Sequence, residues 1–94
     1  MPEKVIEELH AIVHGRVQGV FFRAATRDHA RYLGLVGTVK NLPDGEVEVY
    51  AQGERTTLEK LINQLKNGPG FVKKVDITYV KPQREFEDFR IVYE

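Results

Sequence analysis

The order and periodicity of the apolar residues predict an α+β domain, a four-stranded antiparallel sheet plus a short fifth strand, with two helices on one face. Three observations carry this expectation. Stretches that alternate at period two are interrupted twice by stretches with three- and four-residue spacing. Turn-forming residues sit at the junctions, at Gly34, at Pro43-Asp44-Gly45 and at Gly68-Pro69-Gly70. The 94 residues suffice for one packed core and not for two, so residues 1–94 are read as a single domain.

The first strand covers residues 5 to 14, with Leu9, Ala11 and Val13 on one face and His10, Ile12 and His14 on the other. A glycine-containing connection leads to the first helix, which begins near Phe22. There Phe22, Ala25, Thr26, His29, Ala30 and Leu33 form the inner stripe, while Arg27, Asp28 and Arg31 point outward. Gly34 caps this helix, and Leu35 to Asn41 form the second strand. Leu42-Pro43-Asp44-Gly45 is a hairpin turn into the third strand, where Val47, Val49 and Ala51 alternate against Glu46, Glu48 and Tyr50 until Gly53.

The second helix is expected to start at Thr56 or Thr57, because Thr56 and Glu59 have capping-box spacing. It buries Leu58, Leu61, Ile62 and Leu65. Lys73 to Lys81 form the fourth strand, closed by Pro82, and Phe89, Ile91 and Tyr93 a short last strand at an edge or as a small continuation of the sheet. This order is that of the ferredoxin-like split βαβ sandwich. Its crossover makes strands one and two run the same way with strand three between them, so the glycine connection and Asn41 meet at one edge of the sheet.

Lysine plus arginine number 14 and aspartate plus glutamate 14, so no net charge draws the chain to nucleic acid or to an anionic membrane. Without cysteine there is no disulfide, thiolate ligand or thiol nucleophile, which suits the cytoplasm. No segment has the length of a signal peptide core or a membrane helix. A monomer acting on a small molecule is expected.

The connection His14-Gly15-Arg16-Val17-Gln18-Gly19-Val20-Phe21-Phe22-Arg23 reads as an anion cradle. Gly15 and Gly19 allow backbone amides to converge, the helix start adds unpaired amides, and Arg23 brings a planar fork matched to two phosphate oxygens. The glycine spacing fits neither a Walker loop nor a dinucleotide fingerprint. Arg23 also admits the plainer reading of a solvated helix residue, and Asn41 that of a residue starting the turn at Pro43 through a local side-chain bond. His10 and His14 point the same way, as two metal ligands do, yet no third ligand lies nearby in sequence and no metal is expected.

These residues resemble the acylphosphatase family. Gly15 through Arg23 is similar to its first motif, and Gly37, Val39, Lys40, Asn41, Gly45, Val47 and Gly53 to its second. The resemblance implies hydrolysis of acyl phosphates without a cofactor. Arg23 would bind the phosphoryl group, Asn41 would position the attacking water, and the amides of the connection from Gly15 and Arg16 through Val17, Gln18, Gly19, Val20 and Phe21 to Phe22 would hold phosphoryl oxygens. Inorganic phosphate would be product and inhibitor. Thr38 departs from the family pattern, which usually has an aromatic residue there, and is expected to hold the Asn41 amide less rigidly.

The implied chemistry suits so sparse a site, because a carboxylate leaving group with an acid pKa of about 4 hardly needs a general acid. Two other readings are less favoured by the sequence. An RNA-binding sheet would need exposed aromatics on its central strands, where only Tyr50 is found. A regulatory module binding phosphate or carbamoyl phosphate, as in maturation proteins with acylphosphatase-like domains, would keep the same loop.

Overall fold

A computed structural model describes residues 5–19 and 21–93. It contains β1 (Ile6–Arg16), α1 (Phe22–Tyr32), β2 (Val36–Asn41), β3 (Val47–Glu54), α2 (Arg55–Lys66), β4 (Phe71–Val80) and β5 (Phe89–Val92). The strands form one sheet in the order β4-β1-β3-β2-β5. β1 is antiparallel to both β3 and β4, and β2 is antiparallel to β3. β1 and β2 therefore run the same way with β3 between them, as the crossover rule requires. The fifth strand pairs parallel with β2, which makes the sheet mixed at that edge.

Alternation decides which face the helices cover. Leu9, Ala11 and Val13 of β1 and Val47, Val49 and Ala51 of β3 have no exposed surface. Across from them lie Leu58, Leu61 and Leu65 of α2 and Phe22 of α1, also buried, with Phe89 of β5 closing the core. Two buried faces, one from the sheet and one from the helices, account for the stability of the arrangement, since each apolar side chain removed from water contributes about 1.5–3 kcal/mol.

Three boundaries differ from the sequence expectation. α2 begins at Arg55, and its N-cap Glu54 makes no side-chain capping bond. The Thr56–Glu59 box is thus displaced by a tertiary contact: Arg55 forms a two-pronged bond to Glu7 of β1, at 2.8 and 2.7 Å. β1 runs on to Arg16 and β4 starts at Phe71, because a register shift between His14 and Gly15 lets Gly15 pair with Val72 and Arg16 with Phe71.

Glu8 is a carboxylate with no exposed surface, on the sheet face away from the helices. Its oxygens accept bonds from Gln52 Nε2 at 2.9 Å, the Gln83 and Arg84 amides at 3.1 and 3.2 Å, and Arg84 Nη1 at 2.7 Å. Enclosure alone would raise its pKa, but these bonds together outweigh it and hold the carboxyl below its ordinary value. A depressed folded-state pKa stabilises the fold above the unfolded value of 4.5, and that stability is lost as pH falls through the folded value. Glu8→Gln should therefore cost about 2 kcal/mol at neutral pH. The deficit should shrink at about pH 3. Urea unfolding of both proteins at the two pH values checks this, and a pH-independent deficit would contradict it.

Candidate active site

The site grows from the end of β1. Gly15 has φ 137°, and a Cβ there would lie 2.1 Å from the Phe71 carbonyl oxygen, so its glycine serves the close approach of β4. Gly15 and Arg16 consequently belong to the strand, and the loop proper is shorter than the sequence suggests. Val17 and Phe22, each 1% exposed, fix its two ends in the core. Between them Gly19 turns with φ 74°, facing open space. Val20, expected in the same loop, lies outside the described residues.

Gln18 ties this loop to the β2–β3 turn. Its Nε2 donates to the carbonyls of Leu42 at 2.8 Å and Glu46 at 2.9 Å. The side chain thus spans from the first motif to the second and fixes how far the loop stands from Asn41. Sequence reasoning credited Gln18 with a backbone amide alone.

Phe21 is the N-cap of α1 in the left-handed conformation, φ 62° and ψ 21°, and supplies no side-chain capping bond. The first turn carries no acidic residue either. The first amides of α1 are left without a side-chain acceptor, and the positive end of the helix dipole is uncompensated, which is the arrangement that receives an anion.

Arg23 stands in this first turn, its guanidinium carbon 5.0 Å from the centre of the Tyr93 ring. Among the described residues it pairs with no carboxylate, whereas Arg27, Arg55, Arg84 and Arg90 each do. Its charge is therefore free for a ligand. Asn41 ends β2 opposite Val47, which is also opposite Val13 of β1, so the asparagine lies on the rung just before the loop. Its Oδ1 is buried and has no hydrogen-bond partner among the described residues. A buried acceptor left unpaired costs about 1–3 kcal/mol, which a bound water or ligand would offset.

A cavity of about 310 Å³ joins these groups, lined by Gly19, Phe21, Arg23, Asn41, Ile91 and Tyr93 among others. Gly15, Arg16 and Gln18 do not line it. Ile91 and Tyr93 were missed as site residues, although their alternation with Phe89 had marked a strand. Once β5 pairs parallel to β2, that strand leads to the same edge as Asn41. A larger, more open depression of about 560 Å³ lies by Thr38, Asp88 and Arg90. It has neither a helix start nor an orphaned polar atom, so the smaller cavity is the better site.

Thr38 is three residues from Asn41 along a regular strand and lies on the other face, opposite Tyr50. It does not pack beneath Asn41, and the expected loosening of the amide has no structural route. The two histidines on β1 are held by carboxylates: His10 bonds Glu48 at 2.8 Å and stacks on Tyr50, while His14 lies between Glu46 and Asp76, 2.8 Å from the latter. They form cross-strand ties on the open face.

The acylphosphatase family model matches residues 9–91. A protein named acylphosphatase from Acaryochloris marina is 50% identical over 86 residues, covering 89% of this chain and 91% of its own length. The structure of an acylphosphatase from Coxiella burnetii superposes with a TM-score of 0.88 at 38% identity, over 98% of this chain and 100% of that one. The crystal structure of acylphosphatase from Bacillus subtilis gives 0.89 at 36% identity, over 93% and 99%. A match that runs from the first strand through the last one, and takes in both the loop and Asn41, settles the kinship: the chain belongs to the acylphosphatase family.

Proposed function

We propose that this protein hydrolyses acyl phosphates to a carboxylate and inorganic phosphate, with Arg23 holding the phosphoryl group and Asn41 the attacking water. The observation that carries this reading is the buried Oδ1 of Asn41, without a hydrogen-bond partner among the described residues, in one cavity with an arginine that pairs with no described carboxylate. In the reaction the water oxygen forms a bond to phosphorus, the bond from phosphorus to the acyl oxygen breaks, and its electron pair leaves on the carboxylate. The water's proton passes to a phosphate oxygen. The Asn41 amide cannot accept a proton at neutral pH, so its part is orientation through its carbonyl.

Charge spreads over the equatorial oxygens in a loose transition state, and fixed dipoles stabilise it without reorganising. The amides of Val17, Gly19, Phe21 and Phe22, the α1 dipole and Arg23 supply those dipoles and the charge. The regulatory alternative is not favoured, because relatives matched over nine-tenths of their own length carry the enzyme's name. No described helix is long and apolar enough to cross a membrane. We take the working form to be a cytoplasmic monomer.

The test is hydrolysis of benzoyl phosphate beside acetyl phosphate and a simple phosphate monoester. Both acyl phosphates should turn over, the monoester should not, and inorganic phosphate should compete with substrate because the two share the cradle. Turnover should persist after exhaustive chelation. Loss of activity on chelation and its return with a divalent ion would refute the mechanism.

A further inference from the structure

Phe21 departs from two ordinary patterns at once. It holds a left-handed backbone angle, φ 62°, that side-chain-bearing residues rarely adopt, and the residue is 85% exposed. A strained position is normally repaid by burial or by function, and burial does not repay this one. Tyr93 is likewise 76% exposed, with one face toward the Arg23 guanidinium. Both residues line the same cavity as Arg23 and Asn41, together with the apolar Ile91.

The lining divides by chemistry. Gly19, Arg23 and Asn41 account for a phosphoryl group and a water. The side chains of Phe21, Ile91 and Tyr93 have no part in that transfer, yet they supply the apolar surface. The cavity of about 310 Å³ also exceeds what a phosphoryl group and one water require, since a water occupies about 30 Å³ in the liquid. The cavity is bordered by two exposed aromatic residues, and the part of the substrate still unaccounted for is the acyl group.

We propose that Phe21 and Tyr93 form an apolar mouth that selects acyl phosphates with an aromatic or comparably large apolar acyl group over those with a small one. This rests on the hydrolase reading given above. An aromatic acyl group packs offset or edge-on against such rings and loses apolar surface to water, while acetyl is too small to reach both. The contact is the same before and during phosphoryl transfer, because the acyl group departs without changing its ring. It therefore acts on KM more than on kcat.

The experiment compares kcat and KM for benzoyl phosphate and acetyl phosphate in the unaltered protein, Phe21→Gly, Phe21→Tyr and the double variant Phe21→Gly, Tyr93→Ala. Glycine suits the positive φ, so Phe21→Gly removes the ring without straining the loop. The benzoyl-to-acetyl ratio of kcat/KM should fall about tenfold in Phe21→Gly, through the benzoyl phosphate KM, and further in the double variant. Phe21→Tyr should retain the ratio. A ratio unchanged in Phe21→Gly would overturn the inference, as would equal losses on both substrates, which would mean that the ring only shapes the loop. Turnover of neither substrate by the unaltered protein would overturn the hydrolase reading and this inference with it, a result distinct from a flat ratio.

Discussion

Replacing Arg23 by alanine should weaken phosphate binding and turnover together, by about 2 to 5 kcal/mol, the usual loss for one partner of a desolvated charge pair. The size follows from its surroundings. Arg23 is the arginine of the loop-to-helix junction that no described carboxylate neutralises, and it shares its cavity with the orphaned Asn41 oxygen. Its guanidinium carbon lies 5.0 Å from the centre of the Tyr93 ring, a cation–π contact that leaves both prongs of the fork to a ligand. Arg23→Lys should rescue little, because an ammonium is a point charge without the second prong. Calorimetry with inorganic phosphate, on protein shown to be folded, decides the matter. Near-native affinity in Arg23→Ala would make Arg23 a solvated helix residue.

Asn41→Ala should lose about a hundredfold or more in turnover, near 3 kcal/mol, with phosphate affinity almost kept. A group that orients water acts on the transition state and does little to hold the ground-state phosphate. The competing turn-starting role requires the side-chain oxygen to accept a local bond, and Oδ1 has no such partner among the described residues. The turn is instead closed by the Leu42 amide donating to Glu46 O at 2.7 Å and by the two bonds from Gln18. Asn41→Asp should not restore the rate, since a carboxylate would oppose the phosphoryl charge. Turnover, phosphate affinity and melting temperature measured on one Asn41→Ala sample separate the roles. Intact turnover with a lowered melting temperature would remove Asn41 from the mechanism.

Much of this architecture could be read from local patterns because those patterns report burial directly. Leu9, Ala11 and Val13, or Val47, Val49 and Ala51, alternate because one face of each strand is wholly covered. The meeting of Asn41 with the loop needed topology as well, and the handedness of the crossover supplied it. What escaped the sequence depended on contacts between distant segments. Glu8 looks like a surface glutamate until residues 83 and 84 fold over it. Gln18 looks like any polar loop residue until the β2–β3 turn arrives beneath its amide. The start of α2 at Arg55 is set by Glu7, 48 positions earlier, against the local capping signal. Tyr93 became a site residue once β5 chose β2 as its partner.

The place of β1 in the sheet has a consequence for the chain while it is being made. Its neighbours are β3 and β4, both later in sequence, so a ribosome releases this interior strand well before anything that covers either of its edges. A nascent chain with an apolar alternating strand and two bare edges invites pairing with other copies of itself. Glu7 and Glu8 stand side by side near the start of that strand, and their partners Arg55 and Arg84 are synthesised much later. Until then both charges are unpaired and repel a second copy, as gatekeeper residues do. Once the chain is whole the same two carboxylates become ties, one to α2 and one to the segment after β4.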